Sequence, residues 1–354
     1  MILNINSKIS SYDVIIESDI ISSVGKIVSE KMEERLISVK KMFIITDENV
    51  DNNYGDIVES SFEKQGFEVS KYIIAPGENS KNILTLAGIY AEMSEKGITR
   101  SDMIIALGGG VVGDIAGFAA STYLRGIEYI QIPTTLLAQV DSSIGGKTAI
   151  DISQGKNLVG SFYNPSLVLI DSSVLKSLNT RDLTSGMAEV IKYALIKDRD
   201  LYDLLMEIEN RTQLFEKLDE IIYRCCKIKK EVVEKDQFDK GERMILNFGH
   251  TLGHAIETHY KFRKYLHGEA VAIGMIRISE IAAKKGIINQ SVVDDIKKIL
   301  SRYGLTNKEE ITNKELVKYI KNDKKRFGDR FKIAVVKNIG QGIIIEEGID
   351  FFEQ

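Results

Sequence analysis

MIIALGGGVVGDIAG, residues 103–117, is the stretch on which the fold turns. Residues 103–107 form a short β-rich apolar run, and three glycines break it before apolar residues resume at helical spacing. Gly108, Gly110 and Gly113 fit GxGxxG at a strand-to-helix junction. There a bare backbone lets a pyrophosphate approach, and a helix N-terminus supplies amides and a favourable dipole. The same glycines would also serve to close-pack a helix on a strand.

Working outward, further β-rich runs lie at 12–17, 42–46, 67–74, 129–133 and 167–170, with helical patterns such as 82–96 between several of them. This βαβα alternation predicts a mostly parallel sheet covered by helices. From about residue 180 the texture changes to long helical patterns at 186–197, 218–233, 250–260 and 270–285. The expectation is an α/β nucleotide-binding domain over residues 1–178 and an all-α domain over 179–354. Within the latter, 331–336 reads as a small strand paired with 342–346.

A dinucleotide site usually has a ribose carboxylate roughly 20 residues past the glycines, where Glu128 is badly placed. Asp47, at the end of the 42–46 strand in TDENV, is the better candidate, and it fits a plain helix N-cap equally well. DSSIGGKTAIDISQGKNLVGSFYNP (141–165) reads as a mobile glycine-rich loop carrying Asp141, Lys147, Lys156 and Asn157. The Walker spacing fails there, which disfavours an NTPase. Its lysines suit a phosphorylated ligand or a solvated surface.

All four histidines fall within NFGHTLGHAIETHYKFRKYLHGEAVAIGM (247–275). His250 and His254 share one helix face at i, i+4, and His267 follows just before Gly268 and Glu269. Three protein ligands and one open position are typical of catalytic zinc. Thr251 stands where the HExxH motif has glutamate, so a carboxylate must come from elsewhere. Glu189, on an otherwise apolar helix with Lys192 one turn on, is either that ligand or a structural ion pair. His259 reads as surface or cap material.

Composition narrows the class. The 354 residues are 44% hydrophobic with a net charge of -4, ample for packed cores and unsuited to a nucleic-acid surface. Basic clusters at Lys227, Lys229 and Lys230 and at Lys324, Lys325 and Arg326 are of the kind that usually form solvated faces. The two cysteines, Cys225 and Cys226, are adjacent and poorly placed to bond each other. The N-terminus lacks a signal pattern and no apolar run is long enough to span a membrane, so a soluble cytoplasmic protein is expected.

GGGVVGDIAGFAASTYLRG (108–126), IPTTLLAQVDSSIGGKTAID (132–151), GKNLVGSFYNP (155–165), GMAEVIKYALIKD (186–198), NFGHTLGHAIE (247–257) and HGEAVAIGM (267–275) together resemble the 3-dehydroquinate synthase family of sugar-phosphate cyclases. The resemblance covers roughly residues 40–340. It implies a dehydroquinate synthase-like fold, an α/β nucleotide-binding domain plus a helical domain with the site between them, a homodimer, NAD, and one divalent metal, usually zinc, with cobalt as the alternative.

By motif match the metal ligands are Glu189, His250 and His267, and His254 is a catalytic proton-transfer residue. The NAD positions are Asp47, Asn49, Glu78, Lys81, Gly109, Gly110, Val111, Asp114, Thr134, Thr135, Lys147, Lys156, Val174, Leu175, Lys176 and Ser177. The substrate and catalytic positions are Arg125, Asp141, Lys147, Asn157, Lys192, Lys229, Asp239, Arg243, Asn247 and the Lys324/Lys325 pair, with Arg125 reaching a neighbouring subunit. The implied substrate is 3-deoxy-D-arabino-heptulosonate 7-phosphate. The implied chemistry is transient oxidation at carbon 5, loss of phosphate, re-reduction, ring opening and an intramolecular aldol. Departures from the family pattern are Asp236-Gln237 for an acidic pair, Asp239 for a glutamate, and Asn179 for a proline. The competing readings are a cyclase for a sugar phosphate lacking the carboxylate, a glycerol-type alcohol dehydrogenase, and a noncatalytic metal or nucleotide sensor.

Overall fold

The computed structural model describes residues 1–35, 38–239, 241–306, 309–320, 326–327 and 330–353. The chain divides into two compact units, Met1–Leu178 and Asn179–Gln354.

The first unit holds strands β1 (Ile2–Asn6), β2 (Ser11–Ile16), β3 (Lys41–Asp47), β4 (Glu68–Ile74), β5 (Met103–Gly108), β6 (Glu128–Pro133), β7 (Lys147–Ile152), β8 (Gly155–Phe162) and β9 (Leu167–Ile170). Its helices are α1 (Val24–Glu34), the short α2 (Glu48–Val50), α3 (Asp56–Glu63), α4 (Ile83–Glu95) and α5 (Gly110–Thr122). Seven strands form one sheet in the order β1-β2-β9-β6-β5-β3-β4, parallel except for the β1/β2 pair. Alternation along the strands supplies both faces. Phe43, Ile45, Ile104 and Ala106 join one apolar core with residues of α4 and α5, while Met42, Ile44, Ile105 and Leu107 join the other with residues of α1 and α3.

The order fixes where a ligand can bind. The chain leaves β3 towards β4 and leaves β5 towards β6, in opposite directions across the sheet. Open α/β sheets bind ligands outside the carboxyl ends of strands at such a switch point. Asp47 ends β3 and Gly108 ends β5.

The segment at 145–160, expected as a mobile loop, is instead largely the antiparallel hairpin β7/β8. Thr148, Ala149 and Ile150 are buried, and the glycines at 145, 146, 155 and 160 had hidden that strand pattern. Gly160 is required there, because a Cβ would lie 2.1 Å from the Thr148 carbonyl oxygen.

The second unit holds α6 (Thr180–Lys197), α7 (Arg199–Glu207), α8 (Arg211–Lys235), α9 (His250–His259), α10 (His267–Lys284), α11 (Gln290–Arg302) and α12 (Asn313–Ile320). A small sheet of β10 (Arg326–Phe327), β11 (Arg330–Asn338) and β12 (Gln341–Gly348) accompanies them and includes the expected strand pair. Asn179, the departure from a family proline, caps α6: its Oδ1 accepts the Asp182 backbone N–H at 2.9 Å. Among the described residues no helix is long and apolar enough to cross a membrane.

Close approach of α10 to its neighbours sets up the site. A Cβ on Gly274 would stand 2.0 Å from the Gly249 carbonyl oxygen, and one on Gly268 would stand 1.9 Å from that of Ser185 on α6. The turn before α10 is tied down by Glu309, whose carboxylate accepts from Tyr260 (2.7 Å), Lys264 (3.1 Å) and the Ile311 backbone (3.1 Å).

Two predictions follow from this packing. Gly268→Ala drives a methyl into the α6 backbone and should cost about 1–3 kcal/mol, as overpacking does; equilibrium urea denaturation of variant and parent measures it. For Glu309, burial raises the pKa, but the hydrogen bonds from Tyr265, Tyr260, Ile311 and Lys264 outweigh it and bring the carboxyl down to about 2. A lowered acid contributes stability that is present above its ordinary value of 4.5 and lost as pH falls through about 2. Glu309→Gln should therefore be less stable than parent at neutral pH, with the difference shrinking between pH 4.5 and 2 in acid titrations followed by circular dichroism.

Candidate active site

The first unit gathers most of the expected nucleotide positions around the switch point. Gly109 is the N-cap of α5 in an extended conformation, and a Cβ on it would lie 2.9 Å from the Thr135 methyl. Thr134 is buried and its N–H donates to the Gly108 carbonyl. Asp47 realises the cap reading: its Oδ1 accepts from the Asn49 N–H (3.0 Å) and the Val50 N–H (3.2 Å). Burial nonetheless raises its pKa. Val174, Leu175, Lys176 and Ser177 lie on a short 3-10 turn after β9, where the Val174 carbonyl accepts from Tyr54 Oη at 3.0 Å.

Lys81 is the hub of this unit. Its buried ammonium lies 2.6 Å from Asn157 Oδ1, 2.9 Å from Asp114, 3.3 Å from Glu78 and 3.9 Å from Asp151. Burial works against the charge, but Asp114 and Glu78 outweigh it and hold the lysine firmly protonated. Burial also pushes Asp114 up to about 6 despite Lys81. Lys156 pairs with Glu78 at 3.4 Å. Expected cofactor positions (Glu78, Lys81, Asp114, Lys156) and an expected substrate position (Asn157) thus form one ion cluster. Sequence reasoning missed Asp151, which accepts the Asn157 N–H at 2.8 Å and whose own N–H donates to the Lys81 carbonyl at 2.7 Å. A carboxylate inside an alternating strand was the available signal. Lys147 opens β7 exposed, Asp141 is half-buried in the turn before it, and Arg125 is exposed at a turn where Leu124 and Arg125 both take positive φ.

In the second unit α6, α9 and α10 converge. Glu189 and Lys192 are each about 1% exposed and form an ion pair along α6. Glu189 Oε1 lies 3.4 Å from His250 Nε2 and 3.7 Å from His267 Nε2. One donor atom from each of Glu189, His250 and His267 fits within 4.8 Å of the others, which is compatible with a single ion. The second ring nitrogens face other acceptors: His250 Nδ1 lies 3.1 Å from the Phe248 carbonyl and His267 Nδ1 lies 3.3 Å from Glu257 Oε2. His254 is exposed beside them, its ring centroid 5.5 Å from that of His250 and 5.8 Å from that of His267. Burial opposes the imidazolium form of His267, but Glu257 and Glu189 outweigh it, so its pKa is raised in the absence of metal. His259 ends α9 against Tyr260 and Tyr319, away from this group, as a cap residue would.

Two imidazoles and one carboxylate are the donor set of a catalytic zinc site with one position left open. A carboxylate this deeply buried, facing two imidazole nitrogens, fits a divalent cation.

Cationic positions lie on the same unit. Lys229 on α8 and Arg243 are both buried. Arg243 Nη1 donates to the Gln237 carbonyl at 2.6 Å, and Asp236 Oδ2 accepts the backbone N–H of Gly241 (2.6 Å) and of Arg243 (3.1 Å). The Asp236-Gln237 pair therefore shapes the loop that carries Asp239, at φ 57°, and Arg243. Asn247 is half-buried at the end of the following 3-10 turn. Lys324 and Lys325 lie outside the described residues.

Family models described as 3-dehydroquinate synthase N-terminal and C-terminal match residues 71–185 and 186–326. A 3-dehydroquinate synthase of Clostridium beijerinckii is 49% identical over 97% of both chains, and one of Lactococcus lactis subsp. cremoris is 47% identical over 98% of this chain and 97% of its own. Among solved structures, a 2-deoxy-scyllo-inosose synthase complexed with carbaglucose-6-phosphate, NAD+ and Co2+ superposes with a TM-score of 0.87 at 26% identity, covering 100% of this chain and 98% of its own. A 2-epi-5-epi-valiolone synthase from Streptomyces hygroscopicus with NAD+ and Zn2+ bound gives a TM-score of 0.83 at 26% identity, covering 97% and 95%. An iron-containing alcohol dehydrogenase, 13% identical with a TM-score of 0.68, shares the fold alone. Near-full-length identity of almost half, matched by both family models, means that the chain belongs to the 3-dehydroquinate synthase family.

Proposed function

We propose that this enzyme converts 3-deoxy-D-arabino-heptulosonate 7-phosphate to 3-dehydroquinate and phosphate, the shikimate-pathway step towards aromatic amino acids, using NAD and one divalent metal, zinc or cobalt. The observation that carries the reading is the buried Glu189 facing the Nε2 atoms of His250 and His267, in a chain 49% identical to a 3-dehydroquinate synthase.

Glu189, His250 and His267 hold the metal. NAD is held by the turn after β5 (Gly109, Gly110, Val111), by Asp47 and Asn49, by Glu78, Lys81, Asp114 and Lys156, by Thr134 and Thr135, and by 174–177. When bound, NAD supplies reversible hydride acceptance and the metal supplies polarisation of the substrate's hydroxyl and ketone oxygens.

The chain's own residues bind, orient and move protons. Lys147, Asn157, Lys229 and Arg243, with Asp141 and Asn247, bind the anionic substrate; guanidinium and ammonium groups suit its carboxylate and phosphate. His254 takes and returns the proton of the carbon-5 hydroxyl. Its exposure beside the two half-buried histidines suits a proton shuttle better than a ligand. Lys192 balances the Glu189 carboxylate. With a ketone at carbon 5, the carbon-6 proton is acidic and phosphate can leave, the phosphate itself acting as internal base. Asp239 is the assigned acceptor for a further proton. Return of the same hydride to the substrate, ring opening and an intramolecular aldol complete the carbocycle, so the net reaction is redox-neutral.

A homodimer belongs to the same proposal. Arg125, exposed on its turn, suits a residue reaching a second copy. Cys225 and Cys226 are buried and form no disulfide, as a reducing cytoplasm would keep them.

Phosphate release from the heptulosonate phosphate, with trace NAD and zinc, should run to many turnovers per NAD while no NADH accumulates. NADH appearing one-for-one with substrate would make the protein a net dehydrogenase, and no turnover would favour a cyclase for another sugar phosphate. Lys147→Ala should weaken substrate binding and turnover by about tenfold or more, the loss of one charge-assisted contact, with zinc content by atomic absorption unchanged. Lost zinc with parental kinetics in the remaining holoenzyme would reject the assignment of Lys147.

A further inference from the structure

We propose that Glu257 is a positioning residue that fixes the tautomer and direction of His267, so that this histidine offers Nε2 to the metal. The proposal rests on the reading of Glu189, His250 and His267 as the ligands. Glu257 lies on α9 seven residues after His250, hence on the same helix face. It is 5% exposed, deep for a carboxylate on a helix of this length. Its Oε2 lies 3.3 Å from His267 Nδ1, while Nε2 of the same ring lies 3.7 Å from Glu189. The ring is therefore held between two carboxylates, one at each nitrogen.

An ionised carboxylate only accepts hydrogen bonds, so the nitrogen facing Glu257 carries the hydrogen. Nε2 of the neutral ring is then left with its lone pair towards Glu189. His250 repeats the arrangement with a different acceptor, the Phe248 carbonyl at 3.1 Å from Nδ1 and Glu189 at 3.4 Å from Nε2. Two ligands from two helices are thus set to the same tautomer, one by the backbone and one by Glu257. A carboxylate behind the ring also raises its basicity as a donor. His254, Glu257 and His267 could themselves surround an ion. That arrangement relies on the exposed His254 and leaves the more deeply buried Glu189 without the metal.

The test is zinc and cobalt affinity of the full chain, by competition with a chelator at fixed pH, for parent, Glu257→Ala, Glu257→Gln and His250→Ala. Glu257→Ala should weaken metal binding by about 10–100-fold, the usual cost of losing such a partner. Glu257→Gln should fall between, because its amide oxygen still accepts from Nδ1–H. Both should keep the parental Co2+ visible bands and the melting temperature of the metal-free protein. Affinities within twofold of parent overturn the proposal, and so do shifted cobalt bands, which would make Glu257 a ligand. Parental affinity in His250→Ala would overturn the underlying metal site instead. Should both Glu257 variants misfold, 15N–1H spectra of the four histidines in the zinc-loaded parent decide: a His267 ring protonated at Nε2 and not at Nδ1 overturns the proposal.

Discussion

Burial of the Glu189 carboxylate is the constraint on which the helical unit depends. An ionised carboxylate at 1% exposure costs several kcal/mol unless partners surround it. The sequence places one partner on the same helix, Lys192, and has to bring the others from elsewhere. His250 and His267 come from α9 and α10. For those rings to reach Glu189, the helix backbones must approach more closely than ordinary side chains allow. Gly274 against Gly249 and Gly268 against Ser185 make that approach possible. The glycines around the histidines therefore set how closely the two rings can face Glu189.

The α/β unit meets the opposite problem, a buried cation. Lys81 follows β4, Asp114 comes from α5, and Asp151 and Asn157 come from the β7/β8 hairpin. Withdrawing Lys81 would leave Asp114, already pushed up to about 6 by burial, without its principal counter-charge. The hairpin is bound into this cluster by the Asp151 N–H, which donates to the Lys81 carbonyl, while the Asp151 carboxylate accepts the Asn157 N–H across the hairpin. A segment rich in glycine is thereby held by electrostatics where side-chain packing is sparse.

These two cases explain what was legible in the sequence. The 103–117 stretch was readable because strand, turn and helix each have a local signature, and so was the change of texture near residue 178. The candidate metal donors were visible as types, since all four histidines share one segment. The local pattern could not decide whether Glu189 was a ligand or a structural acid; the fold makes it the partner of Lys192 and of two imidazoles at once. The β7/β8 hairpin was misread because glycine carries no polarity signal, and its buried Thr148 and Ile150 are too few to establish a period. Asp151 and Glu257 were passed over for a different reason. Their partners lie at the Lys81 turn and at His267, so an acid within a strand or helix pattern marks the position but not what it pairs with. Asp47 was a true ambiguity, because one carboxylate at a strand end can cap a helix and still border a nucleotide site.

Charge balance links the helical site to the kind of substrate it can take. Glu189 and Lys192 offset each other along α6, and Glu257 faces the far nitrogen of His267, so a divalent ion bound at Glu189, His250 and His267 would meet two buried carboxylates. Arg243 adds another buried cation, and its Nη1 donates to the neutral carbonyl of Gln237. Lys229 is buried on the same unit. A substrate carrying both carboxylate and phosphate would bring anionic groups to these cations. Buried cations in a chain of net charge -4 thus suit an anionic reactant, which favours the sugar phosphate over a neutral polyol.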